Sequence, residues 1–436
     1  MALRSLDADG PRQLLRVIGG SAFIFACRVA GAGLTFGSQV ILARWLGAAE
    51  FGNYVLAASW CILLSTVATA GMPSAAMRFI GAGLVRGDIA NIRGFARRGL
   101  QVTLAAGVLT ALLGAVVVLA IPGLVPDAHR QPMLVALATV PFFAVLNFHG
   151  GTANAFSWMV QSFLPTNVLR PLVFLVALWF LASRHLHLDA TRAMELQWLV
   201  VVLCMALAGL AFQRRLTTAF PAAELTYETR HWLRTAVPLL GASLFTSYLA
   251  EITVIAAGFY LPSDEIGVFQ VSYRIALLIA FGLYAVDSFT APEAARLVAT
   301  ADHENLQRSV NRATRLRFWP ALAAVGVLVL AGRPVLRLFG DEFVAGYSVL
   351  VLLAIAQLAQ AAVGPVSRLM MLSGQQDRAL LAAVGSLVLL MPLLAVLVPP
   401  FGMEGAAAAA LLDIIVWSIW MRYLVIKSLG IRPAVW

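Results

Sequence analysis

Twelve apolar runs follow one another along these 436 residues with almost nothing between them, and few folds can use such a chain. The runs cover 17–43, 52–81, 99–121, 132–155, 165–183, 195–213, 235–260, 267–291, 317–339, 344–371, 379–398 and 404–426. A bilayer crossing takes ~20 apolar residues over a hydrocarbon core of ~30 Å. Inside that core every backbone N–H and C=O must find its partner within the segment, so an apolar span of this length is a helix. Composition agrees: 61% of residues are hydrophobic and 12% are charged, against ~25% charged in an average soluble domain. The expectation is an all-α integral membrane protein of about twelve transmembrane helices, with loops too short to hold a soluble domain.

A net charge of +10 raises nucleic acid as a partner, but the distribution of that charge excludes it. Lys427 is the only lysine, and the arginines gather between the apolar runs. With the N-terminus placed in the cytoplasm, 23 of the 31 Lys and Arg residues fall on the inner side and 6 on the outer, leaving Arg28 and Arg274 within spans. Short inner loops carry the excess of positive charge. A multi-pass protein of a bacterial inner membrane, with both termini cytoplasmic, is therefore expected. The run after Arg16 continues to about Ala43, too long for the apolar core of a cleavable signal peptide. Cys27, Cys61 and Cys204 lie in apolar runs without CxxC spacing, and the 6 histidines are scattered. Neither a disulfide nor a metal site is expected.

The two halves repeat. Leu46-Gly47-Ala48-Ala49-Glu50-Phe51-Gly52-Asn53-Tyr54 and Leu261-Pro262-Ser263-Asp264-Glu265-Ile266-Gly267-Val268-Phe269 share the pattern Leu-x4-apolar-Gly-x-aromatic at an offset of 215 residues, close to half the chain. The same offset lays the basic segment 83–98 on 298–313. Six spans return the chain to its starting side, so the repeats run parallel. The expected organisation is a six-helix bundle over 1–216, a cytoplasmic linker over 217–234 and a second six-helix bundle over 235–436, around a central cavity. Segments 214–234 and 293–316 mix charges with periodic apolar residues, which predicts amphipathic helices at the inner interface.

The loops exclude most chemistry. The longest outer loop, 184–194, is short, and no HExxH, GxSxG, phosphate-cradling glycine loop or paired-carboxylate motif occurs. An enzyme is not expected, nor a bound cofactor. Asp264-Glu265 and Asp341-Glu342, at the outer rim, read as solvated turn residues.

Charge inside the spans is the informative exception, because an ionisable residue at mid-bilayer costs ~2.5–3.5 kcal/mol on insertion scales. Arg28 in span 1, Glu251 in span 7, Arg274 in span 8 and Asp413 in span 12 stand near mid-depth. Asp287, Arg78, Arg170, Arg368 and His149 lie nearer the inner face, within reach of water by snorkelling. Glu251 and Arg274 sit at matching depth in one hairpin, which allows either a structural ion pair or two groups facing the cavity, Glu251 then serving proton or sodium coupling. Arg28 has no acid nearby in spans 1 and 2, so it either pairs with a distant acid such as Asp413 or faces water. An arginine keeps its charge and presents a planar fork of donors that suits phosphate oxygens. Arg28 and Arg274 are thus the candidate head-group ligands, Glu251, Asp413 and Asp287 the candidate coupling or ion-pair groups, and Arg78, Arg170 and Arg368 the cations of an inner entrance.

At these residues the sequence resembles the polysaccharide transporter family, the Wzx-type flippases of the MOP superfamily. The resemblance rests on Ala43-Arg44-Trp45-Leu46-Gly47, Phe51-Gly52-Asn53-Tyr54 and Arg78-Phe79-Ile80 in the first half. It continues through Glu251, Ile266-Gly267-Val268-Phe269 and Tyr273-Arg274-Ile275-Ala276. It closes with Leu338-Phe339-Gly340, Glu342-Phe343, Gly364-Pro365 and Phe401-Gly402-Met403-Glu404-Gly405-Ala406-Ala407. It implies alternating access by two lobes and a cationic cavity for a polyprenyl-pyrophosphate-linked oligosaccharide, with membrane lipid, a polysaccharide polymerase and glycosyltransferases as partners. Two departures stand out: the span 7 acid is usually aspartate in such sequences, and twelve spans disfavour the lipid II branch, which carries an extra helix pair. A MATE-type cation-coupled multidrug exporter is the nearest rival, against which stand Arg28 and the lack of any acid between Phe23 and Arg44. A non-transporting scaffold for a polysaccharide synthase is the third reading, one that leaves mid-membrane charge without a use.

Overall fold

Helices form wherever the apolar runs predict them, and glycine and proline decide where they stop. The computed structural model describes residues 10–121, 125–184, 187–221, 223–300 and 302–435; side chains before Phe23 and those of 182, 242–243, 245–247 and 376 are outside it. Arg4 and the side chains of Arg12 and Arg16 therefore lie outside the described residues. Among the described residues the chain is helical, with no strand. Spans 1 and 2 form one run, Gly10–Ala68, broken at Gly47 (φ 72°, ψ 174°), and span 2 resumes as Met72–Arg86. Ile89–Ala120, Asp127–Ala155, a span 5 over 159–183 and Ala190–Ala219 complete the first half. Span 7 comes in two pieces, Thr229–Ser247 and Leu249–Ala257. Ser263–Ala299 and His303–Arg337 are spans 8 and 9, and span 10 runs through Tyr347–Ala362 and Val366–Leu372. Gln376–Leu429 holds spans 11 and 12, broken at Gly402 (φ 55°, ψ −138°). That is twelve spans, in a multi-pass membrane protein.

The chain divides into two compact units, residues 1–42 with 60–241, and residues 43–59 with 242–436. The first buries a core in which Ile80 packs with the aromatic rings of Phe95, Phe148, Phe212 and Trp232. The second packs Leu306, Val310, Leu369, Met370, Met421 and Val425 in a core of its own. Leu109, Leu112, Leu113 and Val116 on span 3 are exposed, which is the face a bilayer solvates.

The internal repeat is visible in how each half treats its ends. Span 3 is capped by Asp88, whose carboxylate accepts from the Asn91 amide at 3.0 Å, and span 9 by Asp302, which accepts from the Asn305 amide at 3.1 Å. The Asn305 side chain donates a second bond to Asp302 at 2.7 Å, and together these hold its carboxyl below the usual range. The connector after span 6 is laid along span 3: Arg93 donates to the carbonyls of Phe220 (3.0 Å) and Pro221 (2.7 Å). The tail after span 12 is laid along span 9 in the same manner, Gln307 exchanging bonds with the backbone of Arg432.

The predicted interfacial helix over 214–234 is therefore corrected. Residues 214–219 finish span 6, residues 223–228 are not helical, and Thr229 already opens span 7. Pro221 cannot continue a helix, and span 3 satisfies the extended backbone instead. Segment 293–316 is helical up to Ala299 and again from His303, with Leu306, Val310 and Ala313 buried on one face, and forms the adjoining ends of spans 8 and 9.

The shared Leu-x4-apolar-Gly-x-aromatic motif brings its two copies together inside the second unit. Gly52 and Gly267 face each other backbone to backbone: a Cβ on Gly52 would stand 1.7 Å from the Ser263 carbonyl oxygen, and one on Gly267 2.3 Å from that of Ala48. Ala48 with Gly52, and Ser263 with Gly267, form the small-xxx-small pattern that lets membrane helices approach this closely.

Candidate functional site

In the first unit the cation within span 1 is Arg28. Its guanidinium lies over the Phe163 ring, 5.9 Å from the centroid, and it makes no ion pair among the described residues. Phe163 precedes a π-helical turn, Pro165–Leu169, that interrupts span 5. Pro165 has no N–H to give, so the turn widens. Span 1 passes close by, since a Cβ on Gly31 would meet the Asn167 carbonyl oxygen at 2.1 Å. Arg170 ends the same turn and lies 5.0 Å from the centroid of Phe143. The sequence announced Arg28 and Arg170 but not their aromatic partners or the π turn; Leu164-Pro165 inside an apolar run was the available signal.

In the second unit the intramembrane charges are paired. Arg274 meets Glu251 at 3.3 Å, the side chains 30% and 11% exposed. Glu251 stands in the first turn of the helix that restarts after Tyr248, where the helix dipole also favours a negative charge. Arg274 keeps part of its guanidinium open, and its Nε has no hydrogen-bond partner. Asp287, expected to reach water, is instead held at 2.7 Å by Arg317, with exposures of 14% and 6%. Nothing in the sequence around Arg317 marks it as buried, since the neighbouring arginines of the same run stay exposed. Arg368 lies within electrostatic reach of the same carboxylate. Asp413 is enclosed within the second unit, 1% exposed, and both its oxygens accept from the Ser386 hydroxyl at 2.7 and 2.8 Å.

The acids of the two turn pairs, Asp264-Glu265 and Asp341-Glu342, are the larger surprise. Glu342 accepts from the Ala48 amide at 2.8 Å, and Glu265 from the Met403 amide at 3.0 Å. Each carboxylate caps a helix that restarts directly after a left-handed glycine, Gly47 or Gly402, while Arg44 caps the end of span 9 through the Leu338 carbonyl at 2.6 Å. Their neighbours Asp264 and Asp341 are exposed, as expected of solvated turn residues, Asp341 standing 3.8 Å from Arg337. Glu342→Ala and Glu265→Ala should each cost about 0.5–2 kcal/mol, the usual loss of a helix cap. Unfolding in graded SDS checks this, and two alanine variants as stable as the wild type would remove the capping role.

Comparison with known proteins follows from this geometry. A family model described as polysaccharide biosynthesis protein matches residues 17–286, more than half the chain. The chain is 22% identical over 403 residues to the probable low-salt glycan biosynthesis flippase of Haloferax volcanii, covering 91% of this chain and 80% of the relative. Among solved structures it is similar to an inward-facing multidrug resistance MATE transporter of the MOP superfamily, with a TM-score of 0.75 at 16% identity over 92% of this chain and 95% of the other. It is similar also to the lipid II flippase MurJ in an inward closed conformation, with a TM-score of 0.71 at 15% identity over 94% and 89%. At such identities the two structures speak for the fold alone.

Proposed function

The chain belongs to the polysaccharide biosynthesis protein family, with the fold of MOP-superfamily transporters, and from that premise we propose that it flips a polyprenyl-pyrophosphate-linked oligosaccharide from the cytoplasmic to the outer leaflet of a bacterial inner membrane by alternating access. The observation that carries this is Arg28: a guanidinium within a span, with no carboxylate partner among the described residues, set on an aromatic ring beside a π turn. Such a group keeps its charge and has donors to spare for pyrophosphate oxygens, and Phe163 offers a flat face of the kind on which sugar rings and cations rest. The substrate's tail stays in lipid while the protein shelters its head. The curated relative, a glycan biosynthesis flippase, supports the same class of cargo.

Glu251 and Arg274 suit the coupling role. They sit on the broken span 7 and on span 8, and discontinuous helices supply ion and substrate contacts in many transporters. Proton or sodium movement would act by exchanging the partner of Glu251. The MATE-like fold would equally serve drug export, but an organic cation calls for an acid where this chain has Arg28.

The test is the leaflet distribution of lipid-linked glycan in cells depleted of the protein. Wild-type chain should clear the cytoplasmic leaflet. Arg28→Ala should flip about 10–100-fold more slowly, the loss of one or two charge-assisted hydrogen bonds, while remaining in the membrane. Undiminished flipping by that variant would sink the site, and an unchanged distribution on depletion would sink the function.

A further inference from the structure

Where span 2 nears its end and span 7 begins, the first unit carries a cleft of about 820 Å³. Its polar lining is two arginines, Arg78 and Arg234, with His231, Ser74 and Thr235, and no acid is among the residues that form it. Neither arginine makes an ion pair among the described residues. Two like charges lining one cleft with no acid in its lining repel each other, so the arrangement favours an anion between them.

The floor of the cleft is rigid. Arg78 lies 6.0 Å from the centroid of Phe79, and Phe79 takes the edge of His231 at 5.3 Å. Beneath them Trp232, fully buried, packs against Phe95 at 5.1 Å and Phe79 at 6.5 Å. This pins the start of span 7 to span 2. The rim is apolar and open, with Met77 and Leu239 exposed. A ligand with a charged head and a hydrocarbon tail finds both surfaces here.

Depth points to the same kind of ligand. Arg78 follows the outer glycine, Gly47, by 31 residues of nearly continuous helix, roughly 45 Å at ~1.5 Å per residue. That exceeds the ~30 Å hydrocarbon core and reaches the opposite headgroup layer. His231 and Arg234 precede the outer turn at Leu261 by a similar length.

We propose that this cleft binds the phosphate-bearing headgroup of an anionic lipid in the arginine-rich leaflet. The phosphate oxygens take the two guanidinium forks, the imidazole and the Ser74 hydroxyl complete the shell, and the chains lie along Met77 and Leu239. A phospholipid and a polyprenyl pyrophosphate share this chemistry. In its second arm the inference rests on the flippase reading, and makes the cleft a loading site for that cargo.

The experiment measures dissociation constants on the purified full chain in detergent, with dioctanoyl phosphatidylglycerol, farnesyl pyrophosphate and dioctanoyl phosphatidylcholine as probes. Generic attraction to basic residues near a membrane is worth about fivefold per residue, so the reference is a variant that removes two arginines outside the cleft, Arg86→Gln/Arg214→Gln. Arg78→Gln/Arg234→Gln should bind the anionic probes at least tenfold more weakly than that reference. Thr235→Trp, which fills the cleft and leaves its charge alone, should weaken binding likewise. Tighter binding of farnesyl pyrophosphate assigns the cleft to the cargo, and tighter binding of phosphatidylglycerol assigns it to a resident lipid. If the cleft variants bind as the reference does, the inference is overturned. Arg28→Ala separates the two readings: it should lose flipping and keep the cleft's affinity.

Discussion

Gly52→Ala should destabilise the protein by about 3 kcal/mol or more, beyond the ~1–3 kcal/mol usual for overpacking. The added methyl would land 1.7 Å from the Ser263 carbonyl oxygen. The obstacle is backbone, held in place by its own helix, and no rotamer change relieves it. Gly33→Ala is the control: it lies in the same first helical run with nothing within 4 Å of the new Cβ, and removing a mid-helix glycine there should gain up to ~1 kcal/mol. Thermal unfolding and the yield of monodisperse protein report both. Equal stability of the two variants would refute the backbone contact between Gly52 and Gly267.

Asp287→Ala should cost about 3–5 kcal/mol, the penalty for stranding one member of a buried pair. Arg317, 6% exposed, cannot shed its proton and has no other acid bonded to it among the described residues. Arg317→Ala should cost less, because Arg368 remains near the Asp287 carboxylate. The double variant Asp287→Leu/Arg317→Leu should recover much of the loss, since a packed apolar pair often replaces a buried ion pair at little cost. SDS unfolding of the four proteins decides the matter. If the double variant is stable and still flips, Asp287 is structural. If it is stable and inactive, the pair belongs to coupling.

How far the sequence could be read depended on range. The twelve spans were legible because each is a local apolar run bounded by its own turn. The repeat was legible because Gly52 and Gly267 occupy matching places in a short motif. The Glu251–Arg274 pair was legible from depth, as both sit at similar distances from one hairpin turn. Reading failed where a residue's partner is far along the chain. Glu265 and Glu342 look like solvated acids until Met403 and Ala48, 138 and 294 residues away, turn out to be bonded to them. Arg317 sits in a run of arginines whose other members stay exposed, and only Asp287 on the neighbouring helix explains why this one is buried. The amphipathic reading of 214–234 failed for a related reason: Arg93 on span 3 supplies what an interfacial helix would have supplied from within.

The two glutamate caps also set an order of assembly during synthesis. The last hairpin emerges to find its cap already made, since Glu265 precedes Met403 by 138 residues. The first hairpin must wait for Glu342, 294 residues downstream, which at ~5–20 residues per second is roughly 15–60 s. Throughout that interval the Ala48 amide has only water or lipid headgroups to bond, so the turn at Gly47 is held at the membrane surface until span 10 arrives. The first part of the chain to enter the membrane is thereby finished only after more than three-quarters of the chain has been made.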